Sequence, residues 1–165
     1  MDVYNAIITK RDTREYDARP VEEEHLRQIL RAGRMAGSSK NEQPIRLIVV
    51  REPEQKRRLA ACGDFTAHMP ESPLVIVIVR AEGSRPFDAG RTAQNMMIAA
   101  HALGIASCPV GIQHDDPARE VLGLPADRIV AMALTFGYPA GGRVQGRGER
   151  RIALDDYVMH ERWQG

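Results

Sequence analysis

Hydrophobic and polar positions follow one another along the chain in blocks that predict a succession of helices and strands. Residues 74–79 are apolar at every position, which is typical of a central β-strand covered on both faces. Elsewhere, apolar residues recur at helical spacing or in short runs bounded by turn and cap residues. The pattern predicts helices from Asp2, at residues 22–36, 53–62 and 88–103 and from Asp116, and further strands at residues 46–51, 105–112 and 129–136.

Residues at the ends of these predicted elements indicate how the chain is divided. Asp2 and Asp88 are expected to cap two of the helices, and Gly104 and Gly123 are expected to end helices. The alternation of helices and strands favours an α/β sandwich around a central sheet. We therefore expect one domain over residues 1–165, with residues 141–165 forming a C-terminal arm behind a glycine-rich stretch.

Composition limits the classes of partner. The chain carries 23 Lys and Arg against 22 Asp and Glu, a net charge of +1, so neither nucleic acid nor a membrane surface is expected as a partner. Cys62 and Cys108 are far apart and predict neither a disulfide framework nor a zinc site. Without a signal-peptide pattern or an apolar run of membrane length, the expected location is the cytoplasm.

Two polar stretches carry the candidate chemistry. Residues 10–14 hold three cations, Lys10, Arg11 and Arg14, which suit a phosphate group. Residues 37–44 supply small hydroxyl and amide side chains that can read the edge of a flat heterocycle. Taken singly, the first could be a solvated helix end and the second an ordinary turn. Together they favour a site for a phosphorylated, ring-bearing cofactor.

In this order the motifs resemble those of the nitroreductase family, the FMN-dependent NAD(P)H oxidoreductases. The resemblance covers nearly the whole chain and rests on collinear segments, which are Lys10-Arg11-Asp12-Thr13-Arg14-Glu15-Tyr16, the stretch 36–45 with the strand after it, the segment 88–108, and Phe136-Gly137-Tyr138-Pro139-Ala140. It implies the α+β nitroreductase-like fold, with a central, mainly antiparallel sheet flanked by helices in an intertwined homodimer.

The resemblance also implies an activity. Family members bind FMN, whose N5 takes a hydride from NAD(P)H, and then reduce nitroaromatic, quinone or similar electron-poor acceptors by a ping-pong mechanism. The cofactor performs the redox step, so no catalytic side chain and no metal site are expected. The implied partners are NAD(P)H, a small electron-accepting substrate and a second copy of the chain.

Site residues follow from the family motifs, position by position. The phosphate is expected on Lys10, Arg11 and Arg14, joined from late in the chain by Arg150 and Arg151. The ring is expected against small groups of the second stretch and against backbone that passes over it. These positions are Gly37, Ser38, Ser39 and Asn41, and then Pro109, Val110 and Gly111.

Asp12 departs from the family pattern, in which Ser is common at this position. A carboxylate beside a phosphate is unfavourable unless Arg11 or Arg14 neutralises it. Asp12 could instead accept a hydrogen bond from a ribityl hydroxyl or hold an arginine in place. The order R-D-x-R also resembles the flavin-cleaving, oxygen-using branch that makes the lower ligand of cobalamin. That activity and a non-catalytic flavin-binding module therefore stay open as alternatives.

Three further expectations concern packing. The Met and Ala residues of 93–100 are expected to form a dimer seam, as in relatives. Cys108 is expected to be a packing residue, because no His or Asp at suggestive spacing activates it. Trp163 is expected to anchor the C-terminal arm, either on a partner subunit or on its own domain.

Overall fold

The computed structural model describes residues 1–142 and 151–163, which form helices packed around one antiparallel sheet. Each helix and strand predicted from the sequence is present in these ranges. The ten elements, in chain order, are α1 (Val3–Thr9), α2 (Glu23–Arg34), β1 (Ile45–Val50), α3 (Pro53–Ala60), β2 (Leu74–Ala81), α4 (Pro86–Ala102), β3 (Ala106–Val110), α5 (Asp115–Leu122), β4 (Arg128–Gly137) and α6 (Leu154–Tyr157).

The sheet has the strand order β1-β2-β4-β3, and every pair of neighbours is antiparallel. The expected α+β class with a mainly antiparallel sheet is therefore confirmed. Strand β2 lies in the middle, and its residues Leu74 to Ile78 are fully buried. Strand β1 forms one edge of the sheet and β3 forms the other.

The alternation of side chains along β2 builds two cores on opposite faces of the sheet. Leu74, Ile76 and Ile78 pack in a first core with residues of α2 and α4. Val75 and Val77 pack in a second core with residues of α3 and α5. Because both faces of β2 are covered, every position in its apolar run is buried in one core or the other.

The Met and Ala residues of α4 lie in the first core, so the expected dimer seam is wrong at these positions. Met96 is fully buried, and a Cβ on Gly33 of α2 would lie only 2.7 Å from its sulfur, so α2 and α4 approach closely at this point. The polar neighbours on α4 remain exposed. The buried set is Ala93, Met96, Met97 and Ala100.

The predicted helix ends are mostly confirmed, with one correction. Asp2 caps α1, because its Oδ1 accepts a hydrogen bond of 3.0 Å from the backbone N–H of Asn5. Gly123 ends α5 in the left-handed conformation. Asp88, however, is not a cap: α4 begins at Pro86 with Arg85 at the N-cap position. Proline is favoured at the first helical position, where its missing N–H costs nothing, and that moves the start of the helix forward.

Within the described residues, no helix is both long enough and apolar enough to cross a membrane. Part of the expected C-terminal arm, residues 143–150 and 164–165, lies outside the described ranges. The remainder contains α6 and exposes several large apolar side chains. These are Ile152, Leu154, Tyr157 and Trp163.

Candidate functional site

The basic segment 10–14 docks on the free edge of β3. Asp12 forms a parallel bridge with Ser107, and the backbone N–H of Thr13 donates a 3.0 Å hydrogen bond to the Ser107 carbonyl. Thr13 is buried at this contact. Two regions that the sequence predicted for the site, residues 10–14 and residues 109–111, are brought together by this docking. The first lies beside β3, and the second is the end of β3 and the residue after it.

Charges in the segment are distributed unequally. Lys10 is an ion-pair partner of Asp12, and Arg11 donates to the backbone carbonyls of Ile8 and Lys10 at 2.8 and 2.9 Å. Arg14 is exposed, and its guanidinium has no hydrogen bond or ion pair within residues 1–142 and 151–163. The cation that neutralises Asp12 is therefore Lys10, where Arg11 or Arg14 was expected. Because the three cations outnumber the single carboxylate, residues 10–14 form a net positive site, the basic corner. Arg14 is the open hydrogen-bond donor of this basic corner.

A buried network of hydroxyl groups holds the basic corner against the sheet. The Tyr16 hydroxyl donates to the Thr13 carbonyl at 2.6 Å and lies 2.7 Å from Oγ1 of Thr135. Thr135 in turn donates to the Cys108 carbonyl at 3.3 Å. Burial raises the pKa of Tyr16, so the phenol stays protonated and keeps donating. The network ties the segment to both β3 and β4.

Two buried polar atoms of the described residues have no hydrogen-bond partner, and each belongs to a residue near this corner. They are Oγ of Ser107 and Nε2 of His68. Burial, and secondarily the charge of Arg14, lowers the pKa of His68, which keeps the imidazole neutral. Neither residue was predicted as part of a site, because neither belongs to a periodic or charged pattern.

The segment expected to pass over a cofactor is the end of β3 and the turn after it. Burial raises the pKa of the Cys108 thiol although nearby Arg14 opposes the shift, so the thiol is neutral and packed. The Val110 side chain is buried in the second core. Only the backbone of Val110 can therefore reach a ligand. Pro109 is half-buried and Gly111 is exposed.

The second polar stretch forms a tight loop beside a cavity. Gly37 and Ser38 line a cavity of about 480 Å³ between α2, β1 and the start of α4. The hydroxyl of Ser38 accepts a 2.9 Å hydrogen bond from the backbone N–H of Gln43, which closes the loop. Ser39 and Asn41 are exposed.

One chain does not bring all the predicted positions together. The basic corner extends the sheet beyond β3, whereas the loop leads into β1 at the opposite edge. Three inter-strand spacings, roughly 14 Å, separate those two edge strands. Arg151 is exposed and has no hydrogen bond to the described residues, while Arg150 lies outside them.

The donor set at the corner suits an anion. Arginine presents several N–H donors in a planar fork that matches phosphate oxygens. Among the residues that the structure describes, no group of three or more His, Cys, Asp or Glu is arranged to hold a metal ion. The fold and this corner together define an α+β protein with a basic site at the edge of its sheet.

Comparison with known proteins places that architecture in a family. The nitroreductase family model matches residues 7–62 and 65–138, which is most of the sequence, so the chain belongs to the nitroreductase family. It is 29% identical to an NADH dehydrogenase/NAD(P)H nitroreductase of Archaeoglobus fulgidus, over 95% of this chain and 96% of that protein. It is 27% identical to an NADH dehydrogenase of Thermus thermophilus, over 96% of each.

Solved structures agree with this assignment. A nitroreductase from Desulfovibrio desulfuricans, crystallised in complex with FMN, superimposes with a TM-score of 0.86 at 28% identity over 99% of both chains. The family and the fold expected from the sequence are thus both confirmed.

Proposed function

We propose that this chain is an FMN-dependent oxidoreductase that uses NAD(P)H to reduce small electron-poor acceptors. One observation carries the proposal, namely the docking of residues 10–14 on Ser107, which leaves the Arg14 guanidinium open beside the strand leading to residues 109–111. Family membership supports it, as do the FMN complex of the Desulfovibrio desulfuricans relative and the NAD(P)H named for the Archaeoglobus fulgidus relative.

The residues present fit FMN. Arg14 and Arg11 would hold the phosphate, with Arg150 and Arg151 as further candidates. The unpartnered hydroxyl of Ser107 adds unused hydrogen-bonding capacity beside the corner. Gly37, Ser38, Ser39 and Asn41 would line the ring, because they are small or can both donate and accept hydrogen bonds. The backbone of Pro109, Val110 and Gly111 would complete the ring site.

FMN, when bound, supplies a two-electron carrier that accepts hydride from NAD(P)H and passes it on. The protein's own groups would bind and orient this cofactor. Arg14 supplies fixed positive charge, and the protonated Tyr16 holds the backbone of Thr13 under the basic corner. His68 is neutral, so this imidazole adds no positive charge to that of residues 10–14.

A homodimer explains why the predicted positions lie at opposite edges of one sheet. In a two-fold assembly, the basic corner of one subunit can meet the 37–44 loop of the other subunit, so that each site is formed by residues of both chains. Exposed apolar surface supports such an assembly. Helix α1 leaves four large apolar side chains 43–74% exposed, which are Val3, Tyr4, Ile7 and Ile8.

We propose nitroaromatics and quinones as acceptors, and a ping-pong order in which NAD(P)+, formed once NAD(P)H has given up its hydride, leaves before the acceptor enters. The short connections at 63–73 and 82–85 support this, because little chain is available to cover the site mouth. An open site would admit flat acceptors of several sizes, and it would admit NAD(P)H and acceptor one after the other.

The test starts from the purified protein's absorbance spectrum. We expect a yellow protein that NAD(P)H bleaches under argon and that a nitroaromatic or a quinone recolours. Initial rates at varied concentrations of both substrates should give parallel double-reciprocal lines. A protein that binds FMN but is not bleached would instead be a binding module. Consumption of reduced flavin in air to give a benzimidazole would favour the flavin-cleaving activity.

A further inference from the structure

The loop of residues 37–44 has an unfavourable backbone conformation. Lys40, Asn41 and Gln43 have φ angles of 50°, 57° and 51°, in the left-handed region that side chains other than that of glycine rarely adopt. Asparagine tolerates this region, but lysine and glutamine gain nothing from it. Such a conformation persists only when its surroundings hold it in place.

Three arginines from the surrounding framework donate to the carbonyls of this loop. Arg91 of α4 donates to Gly37 at 2.9 Å, Arg46 of β1 donates to Gln43 at 2.8 Å, and Arg128 of β4 donates to Pro44 at 3.3 Å. Arg46 and Arg128 hold the end where the loop enters the sheet. Of these three arginines, Arg91 holds the beginning of the loop, before the left-handed residues.

Arg91 lies flat against Gly37. A Cβ built on Gly37 would stand 2.9 Å from Nη2 and 3.2 Å from Nη1 of Arg91, so the guanidinium occupies the space that a side chain would fill. The Cζ atom of Arg91 also lies 5.7 Å from the centre of the Phe87 ring, within the range of a cation–π contact. The side chain of Arg91 thus contacts both an aromatic ring and glycine backbone.

We propose that Arg91 is a positioning residue, which fixes the 37–44 loop through the Gly37 carbonyl in the conformation that lines the flavin. The inference rests on the proposed function, since it assigns the loop to the flavin ring. Arg91 itself need not touch the cofactor. Its contribution is that the loop is already ordered before FMN arrives, so that binding does not have to order it.

Four variants separate this role from a general effect on stability. Arg91→Ala removes the donor, and Arg91→Lys restores one donor and the charge. Gly37→Ala displaces the guanidinium without straining the backbone, because Gly37 is not in the left-handed region. The double variant tests whether both changes act through the same contact. Arg27→Ala, on the exposed face of α2, is the matched control.

Two readouts are measured on each variant. Hydrogen exchange of the FMN-free protein reports on the backbone amides of residues 41–43, and fluorescence titration gives the FMN dissociation constant. For Arg91→Ala and for Gly37→Ala we expect the exchange rate of these amides and the FMN dissociation constant both to rise about tenfold. The reason is that each substitution loses one charge-assisted hydrogen bond. The double variant should be no worse than either single variant, Arg91→Lys should recover part of the loss, and the control should match the parent.

Other results would overturn the inference. If Arg91→Ala matches Arg27→Ala in both readouts, Arg91 does not hold the loop. If the effects of the two single changes add in the double variant, Arg91 does not act through Gly37. If the parent binds FMN and only hydrogen exchange changes, the loop does not line the flavin. If the parent binds no FMN at all, the proposed function fails together with the inference.

Discussion

At the scale of single residues, Asp12 decides how much positive charge is available for a phosphate. Its carboxylate forms an ion pair with Lys10 and so offsets the positive charge of that lysine. We expect Asp12→Asn to release Lys10 and to tighten FMN binding by about threefold to tenfold, since removing one charge at a water-exposed position changes the interaction by about 1 kcal/mol. Fluorescence titration at low ionic strength measures the change, with Glu120→Gln on the exposed face of α5 as control. Weaker binding would mean that Asp12 orients Lys10 toward the phosphate.

His68 gives the molecule a pH dependence whose sign can be worked out. Burial, followed by the charge of Arg14, lowers its pKa below the ordinary 6.5. Between the lowered and the ordinary pKa, the unfolded chain binds a proton that the folded chain does not, so the free energy of unfolding falls as pH drops below 6.5. Burial, followed by the charges of Lys10 and Arg11, lowers the pKa of His101, which acts in the same direction.

We expect His68→Gln to reduce the loss of stability between pH 7.5 and pH 5.5, because glutamine takes up no proton in that window. Urea unfolding of the variant and of the parent at the two pH values measures it. An equal loss of stability in the parent and in His68→Gln would show that His68 is protonated in the folded state as readily as in the unfolded chain.

At the scale of elements, the end of β4 is packed against the segment that carries the basic corner. A Cβ on Gly137 would lie 2.8 Å from Cβ and Cδ1 of Tyr16 and 2.8 Å from Cδ of Pro73. We therefore expect Gly137→Ala to destabilise the protein by about 1–3 kcal/mol through overpacking. The control is Gly90→Ala on α4, where nothing lies within 4 Å of the new atom. Alanine in a helix interior should stabilise there by about 0.5–1 kcal/mol.

Thermal or urea unfolding of the two glycine variants compares them directly. Opposite signs are expected. If Gly137→Ala were as stable as the parent, Tyr16 would not be held as tightly against the sheet as its hydrogen bonds indicate.

The elements themselves could be predicted from periodicity, because the signal is local. Strand β2 is the clearest case, since continuous apolar character has one simple explanation in a short segment. The predictions were wrong where a second residue competes with the predicted one for the same role. Pro86 sets the start of α4 ahead of Asp88, and the methionines of α4 fill the gap left by Gly33 and not a subunit seam. A helix pattern alone cannot say which surface covers an apolar stripe.

The site was predictable only in part, for a similar reason. The residue types of the 10–14 segment indicate an anion, but its docking on Ser107 is a contact between distant parts of the chain. The pairing of Asp12 with Lys10 depends on rotamers that no motif specifies. His68 and Arg91 acquire their roles from position alone, so sequence reasoning had no signal for either.

At the scale of the whole molecule, the proposed homodimer should depend on the exposed face of α1. We expect Ile7→Glu, at a side chain that is 49% exposed, to shift the protein toward monomer, because a carboxylate in an apolar interface is costly. Sedimentation velocity measures the shift, and Ala126→Glu in an exposed loop is the control. FMN binding should weaken together with dimerisation. A dimer unaffected by Ile7→Glu would exclude this face from the interface.

The proposed assignment depends on a phosphate gripped by the basic corner. The most direct test compares the dissociation constants of FMN and riboflavin, which differ only in that phosphate, for the parent and for Arg14→Gln. The parent should bind FMN at least about a hundredfold more tightly than riboflavin, since a charge-assisted contact contributes about 1.5–3 kcal/mol and more than one cation is present. Arg14→Gln should remove most of that preference by weakening FMN alone. Equal affinity of the parent for both flavins, or an unchanged preference in Arg14→Gln, would contradict the assignment.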